Sequence, residues 1–503
     1  MKFKLSLILL IIYSLHAFGQ NDQKASIADS LSVHKIYDTQ IIEGLNGPNW
    51  AYLMIGKDTV YAHLMNDNIQ SIDNVKFPKE KYPYENLMGG ILNQKKLTLF
   101  FLDPAYESNI RSSQESSLLV MTLDFSTFKS VQKEIKYLND DDYVLHASGY
   151  KNKFYVVSVK KKTSQLKVTI FENDSSYTIQ NIFLDHINFS KSGNNVTLFE
   201  ILIRRGSKNE PRFINKKLQP SLANSSPKNK VYVENDYLYL SLDTETDETK
   251  VISFNLNNYK SGVKLYKYDN LYCGKYGRDN KYQTNSYIFM NSLYQAKVCT
   301  NGMMLTKHNM ETDSMTSYKT NNGSEILFRN TPIVESSDAS MYDRAKSNVI
   351  DTKSAFYSFY ESTLSLYATV YRDTITVTTG AFKEEILGSF PGIGGLAGAV
   401  FVSLSANVVA SPKQVIYFKS QFDKKFKHVH GNFKEKGVFF DMIDFMEEEN
   451  ERLNVSFGRV IPFYKIMNVK DYYVLAYYNK KNKNLYLKKF ESEYIDDDGR
   501  EKL

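Results

Sequence analysis

The strongest constraint on this chain is a pattern it writes three times. Phe154 to Glu172 reads FYVVSVKKKTSQLKVTIFE: an apolar run, a Lys-rich polar turn, and a second run in which apolar residues alternate. The pattern returns at Tyr237 to Asn255 (YLYLSLDTETDETKVISFN) and at Tyr473 to Glu491 (YVLAYYNKKNKNLYLKKFE). In each copy an aromatic opens the first run, and a Phe closes the second: Phe171, Phe254 and Phe490. Short alternating runs bounded by turn residues read as strands, so each copy is a hairpin. A hairpin alone is marginal in water, and recurrence along a chain implies repeated sheets stacked on one another.

The spacing of the copies sets the architecture. The first interval fits two units of about forty residues and the second fits five or six, close to the 40 to 50 residues of a four-stranded propeller blade. The expected fold class is all-β: a single β-propeller of six to eight blades, seven preferred, built from repeated antiparallel hairpins. Two smaller propellers or a pair of sandwiches are the alternatives. The 37 Tyr and 31 Phe against 1 Trp agree with strand-rich structure. A membrane β-barrel fits less well, because many strands are apolar on both faces and a barrel lumen is polar.

The order of segments follows. Residues 1–19 read as a signal peptide. Lys2 and Lys4 give the positive end, Leu5 to Leu15 the apolar centre, and Ala17-Phe18-Gly19 the small residues at a cleavage site. The mature chain is expected to start at Gln20 and to lie outside the cytoplasm, in the periplasm or beyond. Residues 20–44 read as an N-terminal arm, 45–495 as the propeller, and 496–503 as an acidic tail. Asn195 to Ile203 and Phe356 to Tyr371 read as strands. Arg204 to Lys230, with three prolines and eight basic residues, reads as a solvated loop. Ile386 to Ser411 carries no charge, yet its second half alternates, so it reads as a strand and not as a membrane helix.

Export gives meaning to Cys273 and Cys299, the only two cysteines. In an oxidising compartment they are expected to form a disulfide; two separate buried thiols are the alternative. No cofactor or metal site is expected. Gly392 to Gly398 looks like a phosphate loop, but the segment after it alternates as a strand where a helix would be needed. His428 and His430 share one side of a strand without an identifiable third ligand. Asp243, Glu245, Asp247 and Glu248 crowd a hairpin turn that lacks the glycine of a calcium loop, so a solvated tip is expected. The net charge of +7, spread over 503 residues, demands no anionic partner. The basic 204–230 stretch has Phe213 as its one aromatic, too few for a nucleic-acid stacking platform.

An export signal followed by hairpins at roughly forty-residue intervals resembles secreted bacterial β-propeller repeat proteins. The resemblance covers most of 45–495 as a rhythm and three segments as sequence. The Trp-Asp dipeptides of well-known propeller families are absent, so no functional residue carries over. The expected function is a non-catalytic binding or scaffold protein of the cell envelope, with a protein or glycan partner held by loops on one propeller face. The alternative is a glycan-processing enzyme on the same platform, its carboxylates supplied by different blades.

Overall fold

The computed structural model describes residues 24–27, 36–44, 49–56, 58–79, 86–102, 116–138, 141–172, 174, 176–191, 193–203, 211–215, 221–272, 282–321, 323–336, 347–371, 373–383, 414–431, 442, 445, 463–469, 472–479 and 484–491. Among them lie seven sheets of four or five strands, antiparallel apart from one short parallel edge strand, and one two-stranded ribbon. Blades 1, 2, 3 and 5 are four-stranded meanders over residues 36–78, 86–138, 142–183 and 283–320. Blade 4 is a meander over residues 229–267 with one added strand, Arg212–Phe213. Blade 7 joins three strands from residues 463–491 to Lys24–Ile27 from the other end of the chain. This shared blade ties the two chain ends together. It also corrects the expected arm over 20–44, since Ile36–Glu43 is the innermost strand of blade 1.

Burial follows the radial order of the strands. Middle strands are covered on both faces: every residue of Trp50–Gly56 and Ser292–Cys299 is buried. Outer strands such as Ser71–Pro78 and Ser261–Lys267 are mostly exposed. That gradient explains the sequence repeat. The second and third strands of blades 3, 4 and 7 are the three recognised hairpins, because they are apolar on both faces. Apolar clusters join blade 7 to 1, 1 to 2, 2 to 3, 3 to 4, and 4 through 5 to 6.

Near the axis the inner strands converge, and side chains must shrink. A Cβ on Gly149 of blade 3 would lie 2.6 Å from the Gly90 carbonyl oxygen of blade 2, and Gly89 holds φ at +144° against the Phe154 ring. Farther out, Phe154 stacks on Phe100 at 4.2 Å, and Phe171 lies 5.1 Å from Phe100. Full burial of each such ring contributes roughly 1.5 to 3 kcal/mol.

Three segments differ from the sequence expectation. Asn195 to Ile203 is a strand only to Val196; Leu198–Leu202 is a helix with a capping box between Thr197 and Glu200. Phe356 to Tyr371 is divided between the helix Thr352–Glu361, capped by Asp351, and the strand Thr363–Tyr371. Blade 6 is not sequential. Ile333–Ser336 and Ser347–Ile350 form its outer edge first, and the helix then carries the chain inward to Thr363–Tyr371. Ile386 to Ser411 and Gly392 to Gly398 lie outside the described residues.

Candidate functional site

The antiparallel order sorts the connections by length. Turns between first and second strands share one end of the propeller. In blades 3, 4 and 5 these are two-residue turns: Lys151-Asn152, Asn235-Asp236 and Met290-Asn291. Both residues of each have positive φ, as type I′ hairpins require. These turns are laced to one another. Tyr150 and Lys151 both reach Asp236, and Asn235 donates to Asn291 at 2.8 Å. The Asp236 carboxyl is held down at about 2 by those donors, Lys151 first. The opposite end takes the described parts of the connections that follow blades 3 and 4, residues 184–191, 193–203, 211–215, 221–228 and 268–272, whereas 423–431, after the third strand of blade 6, lies on the side of the tight turns.

One of those connections runs inward. The strand Arg212–Phe213 pairs in parallel with Asn229–Glu234 on the side away from the rest of blade 4, which is the axial side. Phe213 stacks at 4.2 Å on His146 of the blade 3 inner strand. His146 is buried at a register shift, and neither ring nitrogen has a hydrogen-bond partner. Burial pushes its pKa down to about 3, so the ring is neutral. The short helix Leu222–Ser225 then packs on blade 6, where Ser225 and Ser365 share a 2.8 Å hydrogen bond. Asn285 of blade 5 donates to the Ser226 and Leu364 carbonyls at 2.7 and 2.9 Å. The stretch expected to be a solvated loop therefore touches the inner strands of four successive blades.

Its last residue carries the most buried charge among the described residues of the stretch. Lys230 is fully buried, donates to Asn285 Oδ1 at 3.0 Å, and sits 3.5 Å from Asp243. Asp243 accepts from the Ser286 amide and hydroxyl at 2.8 and 2.7 Å and from Thr249 at 2.6 Å. Gln295 continues the network, donating to Thr249 and bonding His308, both at 2.8 Å. Burial pushes the Lys230 ammonium down to about 8, against the pull of Asp243. Lys228 beside it donates to the Thr284 carbonyl. The acidic turn is thus not a solvated tip. Asp243 is inside, and Glu245 and Glu248 both pair with Lys250. Asp142, the other deeply buried carboxylate among the described residues, is tied to Lys167 at 2.5 Å.

His428 and His430 stand edge to face at 4.6 Å, and His428 bonds Asn330 Oδ1 at 3.0 Å. Among the described residues no three His, Cys, Asp or Glu side chains gather as metal ligands. Cys299 is buried with Tyr268, Leu271 and Met304; Cys273 lies outside the described residues. Among the described residues no helix is long and apolar enough to cross a membrane.

No family model matches the chain, and no curated protein matches it. Solved structures similar to it include the WD40 domain of SCAP from fission yeast, at 8% identity and TM-score 0.29, covering 94% of this chain and 99% of that one. Cobalt-substituted Synechocystis ACO aligns at 6% identity and TM-score 0.29, covering 58% of this chain and 63% of that one. A subtype N10 neuraminidase-like protein of a little yellow-shouldered bat isolate aligns at 8% identity and TM-score 0.25, covering 59% of this chain and 86% of that one. Likeness at this level carries no argument about function. The propeller assignment rests on the seven sheets and their radial burial.

Proposed function

We propose that this chain is an exported, non-catalytic binding or scaffold protein of the cell envelope. Its working face is the propeller end that gathers the long connections. The observation that carries this reading is the contrast between the two ends of blades 3 to 5: tight, mutually bonded turns on one, the described parts of the connections over 184–228 and 268–272 on the other. Loops held on a rigid frame are the usual place for recognition. The axial side of blades 3 to 6 is met by the chain itself at 211–215 and 221–226, which argues against a funnel for catalysis there. Asp142 and Asp243, the buried carboxylates among the described residues, are each paired with a lysine of their own blade.

Export, the signal peptide over 1–19 and a Cys273–Cys299 bridge belong to the same proposal. Intact-mass analysis of protein from the native host should give a chain starting at Gln20 with both thiols oxidised. Full-length protein in the cytosolic fraction overturns the export reading. Co-sedimentation of the mature chain with envelope fractions tests binding. Release of sugar from any envelope glycan, lost in the Asp243→Asn or Asp142→Asn variant, would move the assignment to the glycan-processing alternative.

A further inference from the structure

The outer strand of blade 3, Tyr177–Phe183, differs from the other outer strands of the meander blades. An exposed edge strand presents unpaired backbone groups, and proteins guard such edges with charges, proline or bulges. Blade 1 guards its edge with Asp73, Lys76 and Pro78, and blade 2 with several lysines and Glu134. Both also carry register irregularities. The outer strands of blades 4 and 5 contain Lys264, Lys267 and Lys319. Tyr177–Phe183 reads YTIQNIF, with no charge, no proline and an unbroken register against Gln165–Phe171. It nevertheless exposes Tyr177 (38%), Ile179 (42%) and Phe183 (62%), all on one face by the two-residue period.

We propose that this edge pairs with the same edge of a second copy of the chain, antiparallel about Gln180, to make a symmetric dimer. The sequence is complementary to itself in that register. Tyr177 falls opposite Phe183 twice, Ile179 opposite Asn181 twice, and Thr178 opposite Ile182. Aromatic pairs of this kind stabilise a ladder, and like charges directly opposite would weaken it; here none are opposed. A two-fold seam of this kind is closed, so it yields a dimer and not a filament. A seam of one strand per copy is small beside a standard interface, so the dimer should dissociate on dilution.

The test is sedimentation of the full mature chain from roughly 1 to 100 µM, the range in which a small seam should dissociate. The expected result is a monomer–dimer equilibrium that Ile179→Lys weakens at least about tenfold. Val131→Lys, on the blade 2 edge, should leave it unchanged. Ile179 is exposed, so circular dichroism and the melting temperature should confirm that the Ile179→Lys variant is folded. Register is read separately. Gln180→Cys lies on the two-fold axis and should link two copies when oxidised by copper phenanthroline, whereas Thr178→Cys should not. A chain that stays monomeric throughout, a dimer indifferent to Ile179→Lys, or a dimer that Gln180→Cys fails to link each overturns the proposal. So does a monomer that uses this edge only to bind an unrelated extended peptide.

Discussion

The seam between blades 2 and 3 and the seam between blades 4 and 5 fill the same kind of wedge with opposite chemistry. The first is dry and aromatic: Phe100, Phe154 and Phe171 in contact among Leu and Val. The second holds a buried Lys230–Asp243 pair, Asn285, Ser286, Thr249 and Gln295 in one hydrogen-bonded network. A repeat architecture does not require each interface to use the same residues, only that each wedge be filled and its polar groups satisfied. The polar seam lies where the axial insertion meets the blades. Its directional bonds fix Asn285 on the Ser226 and Leu364 carbonyls, which apolar packing could not do with the same geometric selectivity.

The sharpest separation of the two seams comes from near-isosteric changes. Asp243→Asn keeps the volume but leaves Lys230 buried without its counter-charge, and should destabilise by about 3 to 5 kcal/mol. Equilibrium unfolding in urea measures it. A loss below about 1 kcal/mol would mean that water reaches Lys230 and the seam is not sealed.

Next in size is a pH effect confined to the polar seam. Lys230 titrates near 8 in the folded chain, chiefly because of burial, and near 10.4 once unfolded. Between those values the unfolded chain holds more protons, so stability rises with pH across the window. Below pH 8 that gain is absent. The rise should reach roughly 2 kcal/mol by pH 10. Lys230→Met should flatten it, and a variant of the aromatic seam should keep it. If the Lys230→Met profile parallels the wild type, the slope belongs to another group, such as neighbouring Lys228, whose pKa burial also lowers.

In the aromatic seam a small reduction of a buried ring is expected to be milder than the loss of a buried counter-charge. Phe171→Leu should lower stability by less than about 1.5 kcal/mol, because neighbouring side chains can shift into the space and no polar group is orphaned. A loss as large as that of Asp243→Asn would erase the proposed difference between the seams.

How much of this was legible depends on where a residue sits along the blade radius. Second and third strands are covered on both faces and joined by polar turns, so Phe154–Phe171 and its copies stood out. Inner strands mix small and polar residues because they converge, and Ile36–Glu43 was passed over as an arm for that reason. The Leu198–Leu202 helix had a readable signal, Thr197 with Glu200 three residues on, and it was masked by the apolar Leu and Ile around it. The Thr352–Glu361 helix is rich in Phe and Tyr, which favour strands, and only Asp351 ahead of Ser354 marks its start. Lys228 and Lys230 looked solvated because they ended a basic, proline-bearing stretch. Their burial depends on Asp243 and Thr284, which no local pattern could bring beside them.

The smallest expected effect is also the most selective. In the Asp243→Asn background, adding Lys230→Met removes the charge that the first change stranded. The new Asn oxygen can still accept from the Ser286 amide, which would otherwise be a buried donor without a partner. Met fills most of the volume of the lysine stem without a charge to desolvate. The Thr249 hydroxyl, which donates to Asp243, turns its proton to the Tyr268 oxygen and accepts from the new amide nitrogen, so what remains lost is the donor to Asn285 Oδ1, one hydrogen bond worth about 1 kcal/mol. The double variant should therefore stand within about 1 kcal/mol of the wild type, far above Asp243→Asn alone. That rescue would show that the single loss came from an unpaired charge. If the double variant is as unstable as the single, the network depends on Lys230 for geometry, and the polar seam works by shape as the aromatic seam does.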